Sequence, residues 1–270
     1  MRSSAAVLRL WFELARSGYR RYAAYPGATW AGVFTNTFFG FLLAYVLLAV
    51  FEERQTVGSY DASDAVTYVW LAQGLFMTIY IFGWYEIALR VRSGDVATDL
   101  QRPLDFQLYW LAQDLGRAAY HGLYRGVPPF LIGALAFDVV VPSQPLRWIA
   151  FLVSVALAVV ASFAFRYLFN LAAFWLLDYR GVGQLAAVAS ALLSGMYVPI
   201  AFFPEWLAIL AWALPFAAMI QAPIEVYLGH VRGAELVGLL ALQAFWGVAL
   251  LLLGRAMFAA GVRKLVVQGG

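Results

Sequence analysis

Apolar residues in this chain come in long blocks. Five of them run about 18 or more residues almost without charge, and nearly every arginine lies between them. At ~1.5 Å of rise per residue, ~20 apolar residues cross the ~30 Å hydrocarbon layer of a bilayer, where only helices and closed barrels satisfy the backbone. The pattern predicts an all-α membrane protein with six transmembrane helices. The expected spans are residues 27–51, 65–84, 127–137 together with the preceding 120–124, 148–177, 184–203 and 236–253. The third is crowded at its start by His121, Arg125, Pro128 and Pro129, so a kink is expected there.

Two stretches depart from this rhythm. Over residues 4–25 the period is helical but two-sided, with Arg9, Glu13, Arg16 and Arg20 on one face and Leu8, Phe12, Ala15, Tyr19 and Tyr22 on the other. That face pattern predicts an amphipathic helix lying at the membrane interface over residues 1–26. Residues 204–229 are apolar but broken by Pro204, Pro215 and Pro223 and bracketed by Glu205 and Glu225. They read as an outer re-entrant pair of short helices between the fifth and sixth spans.

Composition agrees with one membrane domain over residues 1–270: 64% of residues are hydrophobic, 12% are charged, and mean hydropathy is +0.77. The net charge of +3 is small, and its distribution tells more than its size. With six spans, 14 basic residues fall on one side, from Arg2 to Lys264, and only Arg54, Arg147 and Arg232 on the other. Positive residues are retained in the cytoplasm, so both termini of the multi-pass protein are expected there. The positives read as a topology signal rather than a nucleic-acid footprint.

Candidate chemistry is sparse. The chain has no cysteine, two histidines (His121 and His230) and no HExxH motif, which argues against an intramembrane enzyme. Glu86 and Asp138 fall at span ends. Arg166 is expected to snorkel to the inner interface, while Asn36 and Gln73 are the polar groups expected near mid-membrane. The segment RVRSGDVATDLQRPLD, residues 90–105, is the sharpest feature. Gly94 and Pro103 bracket a piece in which Val96, Leu100 and Leu104 are spaced as on a helix, with Asp95 favouring its N-terminus. It predicts a small apolar knob rimmed by charge, shaped for a groove on a cytoplasmic partner.

GDVATDLQRPLD, residues 94–105, resembles the glycine, apolar, leucine, arginine-proline pattern that follows the second span in permeases of the ABC-2 type. SGMYVPIAFFPEWLAILAWALPF, residues 194–216, is similar to that family's proline-bearing fifth-span end and outer re-entrant pair, with Pro199, Pro204 and Pro215 as its landmarks. The resemblance, strongest to the bacterial branch, implies an ABC-2 or type V exporter-like fold in a bacterial inner membrane. It implies the transmembrane subunit of an ATP-binding-cassette exporter, paired with a second permease subunit, identical or different, and driven by a cytoplasmic ATPase dimer that carries ATP and Mg. No cofactor is expected in this chain, which has no GxxxxGK[ST] and a single lysine, Lys264. The resemblance also makes residues 94–103 the ATPase-coupling helix, with Gly94, Asp95, Val96, Leu100, Arg102 and Pro103 as its residues.

Aromatics make up 17% of the chain, and the spans offer no ring of fixed charge of the kind a polar pore uses. Asn36, Phe38, Tyr197, Phe202 and Phe203 are therefore the pathway candidates, for an amphipathic or hydrophobic cargo. A stand-alone ion-coupled transporter or channel is the alternative. Membrane lipid is an expected partner and nucleic acid is not.

Overall fold

The computed structural model describes residues 4–176 and 178–264. Arg2, the expected span end at Leu177 and the tail 265–270 lie outside them. Among the described residues every regular element is helical, in the order α1 Ser4–Ala23, α2 Pro26–Phe51, α3 Ala62–Leu75, α4 Glu86–Ser93, α5 Val96–Leu100, α6 Phe106–His121, α7 Val127–Ala136, α8 Pro145–Leu171, α9 Arg180–Leu193, α10 Glu205–Ala213, α11 Gln221–Leu228 and α12 Ala234–Val262. Wide π-helical turns, Phe76–Tyr80 and Gly122–Gly126, follow α3 and α6.

Among the described residues, three helices are long and apolar enough to cross a membrane: Pro26–Phe51, Pro145–Phe174 and Ala234–Val262, of 26, 30 and 29 residues. At ~1.5 Å per residue these are ~39 to 45 Å long. Two begin with proline at the first turn, where a missing N–H is no loss. α3 is fixed instead by a reciprocal capping box between Asp61 and Asp64, which satisfies two orphan donors.

The interior is built around α3, whose Trp70 is fully buried. Its indole fits against Gly40 of α2 and Gly133 of α7, where a Cβ would strike the ring; Phe41 packs edge-on, 5.1 Å between centroids. α8 carries the largest share of remaining contacts, with α12 along one side and α11 along another. α1 lies along α6 through two close approaches: a Cβ on Gly116 would fall on the Ala15 carbonyl, and one on Gly18 on the Gln113 carbonyl.

Three boundaries differ from the sequence reading. The second expected span, 65–84, leaves regular helix after Tyr80, whose φ is 59°, and residues 81–85 run irregularly to α4. The third is longer, because α6, the turn Gly122–Gly126 and α7 follow one another without a gap from residue 106 to 136. The fifth is shorter: α9 has 14 residues and stops at Leu193.

Candidate functional site: the segment between α3 and α6 and its buried anchor

Residues 86–105 form a compact turn of two short helices. α4 ends at Gly94, φ 83°, a left-handed position that glycine adopts without strain. No atom lies within 4 Å of where its Cβ would be, so conformation rather than crowding calls for glycine. Asp95 opens α5, and its carboxylate accepts from Ser93 Oγ at 2.8 Å rather than from the helix. Asp99, buried, accepts from Arg90 Nη1 at 2.7 Å and pairs with Arg102 Nη1 at 3.3 Å. The two guanidiniums also lie 5.8 Å from the rings of Trp110 and Tyr109.

The expected three-residue knob is corrected by this geometry. α5 is only five residues long, so Leu104 falls beyond its end and cannot share a face with Val96 and Leu100. Val96 is fully buried among Ile87, Phe106 and Phe163. Leu100 is left as the apolar tip, 38% exposed, with Arg102 and Pro103 exposed beside it.

Behind the turn, α8 presents Ser162, Arg166 and Asn170, spaced by four and so stacked on one face. Asn170 Oδ1 accepts the Ala88 N–H at 3.0 Å and its Nδ2 donates to the Trp84 carbonyl at 2.7 Å. Ser162 Oγ donates to the Ile79 carbonyl at 2.7 Å. Arg166 is fully buried and donates to both oxygens of Asp114, at 3.2 and 2.7 Å. Arg117 pairs with the same carboxylate at 2.7 Å and donates onward to the carbonyls of Met77 and Thr78 at 2.5 and 3.0 Å. Those carbonyls are acceptors left open where helix α3 ends, and the Tyr80 ring covers both guanidiniums at 4.9 and 5.4 Å.

Arg166 therefore does not snorkel to an interface. It binds Asp114, a residue that sequence reasoning passed over inside a basic stretch, and the three charges bolt α6 and α8 to the broken end of α3. Two arginines on one carboxylate are tolerated in the interior because carbonyls and a ring face satisfy the excess donors. Arg21 of α1 adds a second brace, donating to both Glu86 oxygens at 2.8 Å. α1, α4, α5, α6 and α8 thus share one polar frame, which includes α8, one of the three helices long enough to span a bilayer.

A comparison with protein families matches residues 34–269 to the model of the ABC-2 family transporter protein. The chain belongs to the ABC-2 transporter family. It is accordingly a multi-pass membrane protein and the membrane component of a transporter rather than its catalyst. Neither a curated protein nor a solved structure matches it.

The pathway candidates of this ABC-2 protein divide in two. Asn36 is 3% exposed and its Nδ2 donates to the Gln73 carbonyl at 3.0 Å, so it ties α2 to α3. Phe38 and Tyr197 are 56% and 51% exposed. Phe202 is half-buried, with ring centroids 5.9 Å from Tyr60 and 6.2 Å from Phe51, and Phe203 packs against Ile200, Ala211 and Ala217. α2 also exposes Trp30, Phe34 and Tyr45, and α9 exposes Leu185, Val188 and Leu192.

Pro199 leads into the turn Ile200–Phe202 and Pro204 caps α10, while Pro215 lies in the irregular stretch between α10 and α11. α11 is held by a second polar cluster. Gln221 Oε1 accepts from Tyr68 Oη at 2.6 Å and from the Ile200 N–H at 3.1 Å; Tyr60 Oη donates to Glu225 at 2.6 Å. His230 reaches Glu225 Oε2 at 2.8 Å and Asp64 Oδ2 at 3.3 Å. Burial opposes charge on His230, but its hydrogen bonds to Asp64 and Glu225 prevail and raise it from 6.5 to about 9. The imidazolium is a clasp between α11 and the start of α3.

Proposed function

We propose that this chain is the transmembrane subunit of an ATP-binding-cassette exporter of the bacterial inner membrane. It pairs with a second ABC-2 permease, identical or different, and a cytoplasmic ATPase dimer holding ATP and Mg drives it. In this reading the six spans are α2, α3 with its π turn, the later part of α6 with α7, α8, α9 and α12. α1 lies along the inner interface, α10 and α11 form the outer re-entrant pair, and both termini are cytoplasmic. The exposed apolar stripes on α2 and α9 face the second permease and, between the subunits, an amphipathic or hydrophobic cargo that meets Phe38 and Tyr197.

One observation carries the reading. The segment 94–103 offers an exposed Leu100 beside Arg102 and Pro103, while its other side is tied through Asp99, Ala88 and Trp84 to the helices behind. A tip that is apolar in front and braced behind suits transmission of force from a docked partner. The test is purification in mild detergent after co-expression with a candidate ABC ATPase partner. The parent chain should retain the ATPase, whose turnover should rise with lipophilic compounds. Leu100→Asp should insert normally yet bind the ATPase roughly tenfold or more weakly, since it would desolvate a charge in the groove. Full association and coupling in that variant would refute the assignment.

A further inference from the structure

Arg147 and Arg232 come from different parts of the chain and meet at the end of the bundle opposite residues 86–105. The Arg147 guanidinium, on the first turn of α8, lies over the Cα of Gly229, where a Cβ would collide with it. Arg232 Nε, in the turn before α12, donates to the Gly229 carbonyl at 3.0 Å. Among the described residues neither arginine has a carboxylate partner within ion-pair distance. Glu225 and Asp64 are paired with His230.

Between them opens a cavity of about 180 Å³, lined by Gln144, Leu146, Arg147, Val231, Arg232 and Leu236 among others. Two long helices begin at its rim, α8 after Gln144 and α12 after Gly233, and neither start has a side-chain cap. Two guanidiniums and two helix starts without side-chain caps, that of α8 lacking one N–H at Pro145, surround one hollow and attract anions. Glu235, on the first turn of α12, is exposed.

We propose that this cavity binds the phosphate of an anionic phospholipid headgroup. Phosphate matches the arginine fork. A lipid rather than a free ion is indicated by what adjoins the charges: Leu146, Val231 and Leu236 form its wall, and the exposed stripe Leu146, Ile149 and Leu152 leads from it along α8. A headgroup seated on the arginines would lay its acyl chains on that stripe. The bound lipid would fasten the α11–α12 turn to α8, next to the His230 clasp.

Native mass spectrometry and thermal unfolding of the purified full chain in a neutral detergent test this with three probes: a short-chain phosphatidylglycerol, the matching uncharged diacylglycerol, and inorganic phosphate. The phosphatidylglycerol should be retained and should raise the unfolding temperature. The double variant Arg147→Gln/Arg232→Gln should bind it at least roughly tenfold more weakly, and Glu235→Gln should not weaken it. Equal retention of the diacylglycerol by the parent chain would show an apolar surface only, an outcome that needs no variant. Inorganic phosphate binding as tightly as the lipid would make this a soluble-anion site. Unchanged lipid binding by the double variant would place the site elsewhere. Each of these three results overturns the proposal.

Discussion

Removing the Asp114 carboxylate is the sharpest perturbation of the frame that joins the segment 86–105 to the long helices. Asp114 and Arg166 are 3% and 1% exposed at their side chains, and Arg117 is as deep. In Asp114→Ala, Arg117 keeps the carbonyls of Met77 and Thr78, but Arg166 keeps only Ser162 Oγ at 3.3 Å and the ring faces of Tyr80 and Trp84. Two buried guanidiniums are then left without a counter-charge, a change that costs about 3–5 kcal/mol. Arg166→Met is milder, because Asp114 still pairs with Arg117; its cost is about 1–3 kcal/mol. The double variant should lose less than the sum of the two, since the second change removes one of the stranded charges. Denaturant unfolding in mild detergent, followed by tryptophan fluorescence on monodisperse protein, measures all three. An Asp114→Ala protein within ~1 kcal/mol of the parent would refute a buried, energetically coupled triad.

Two further outcomes follow from other contacts. The folded-state value of His230, about 9, lies above the ordinary 6.5. Its stabilisation is therefore fully present below about 6.5 and is lost as pH rises through about 9. Unfolding temperature should fall over that alkaline window, more in the parent than in His230→Gln; identical profiles would remove the clasp. Gly116→Val puts methyls onto the Ala15 carbonyl and should separate α1 from α6 at a cost of about 1–3 kcal/mol. Limited proteolysis should then cut α1 first, and unchanged protection would contradict the close packing.

How legible the fold is depends on where the charges lie. The uninterrupted run that forms α2 is readable to within a residue and the starts of α8 and α12 to within three, because length and apolarity decide them, whereas α12 continues nine residues past its expected end, through Arg255 to Val262. Most of α6 does not read as part of the third span. Asp114 and Arg117 look solvated in sequence, and their mutual pairing with Arg166, 52 positions from Asp114, is a tertiary fact. The same pairing overturns the snorkelling of Arg166. The expected second span breaks early because the π turn after α3 gives the carbonyls of Met77, Thr78 and Ile79 to Arg117 and Ser162, which no periodicity signals. In the segment 90–105 the bracketing glycine is legible from its own chemistry. The inward turn of Val96 is not, since helical spacing assumes more than the five residues that α5 has. Asp99 carries a faint signal, lying three residues before Arg102, and the polar cluster of Tyr60, Tyr68, Gln221 and Glu225 carries none.

The measurement that tests the central claim most directly is a cross-link from the tip of that segment. The chain has no cysteine, so Leu100→Cys and Ser59→Cys give two single-thiol reporters on a silent background. With the proposed ATPase partner co-expressed in native membranes, a short bifunctional reagent should join that ATPase to the Leu100→Cys variant and not to the Ser59→Cys variant, and the adduct should disappear when the ATPase is absent. An adduct from position 59, or none from position 100 with the complex intact, would contradict the docking role of residues 94–103.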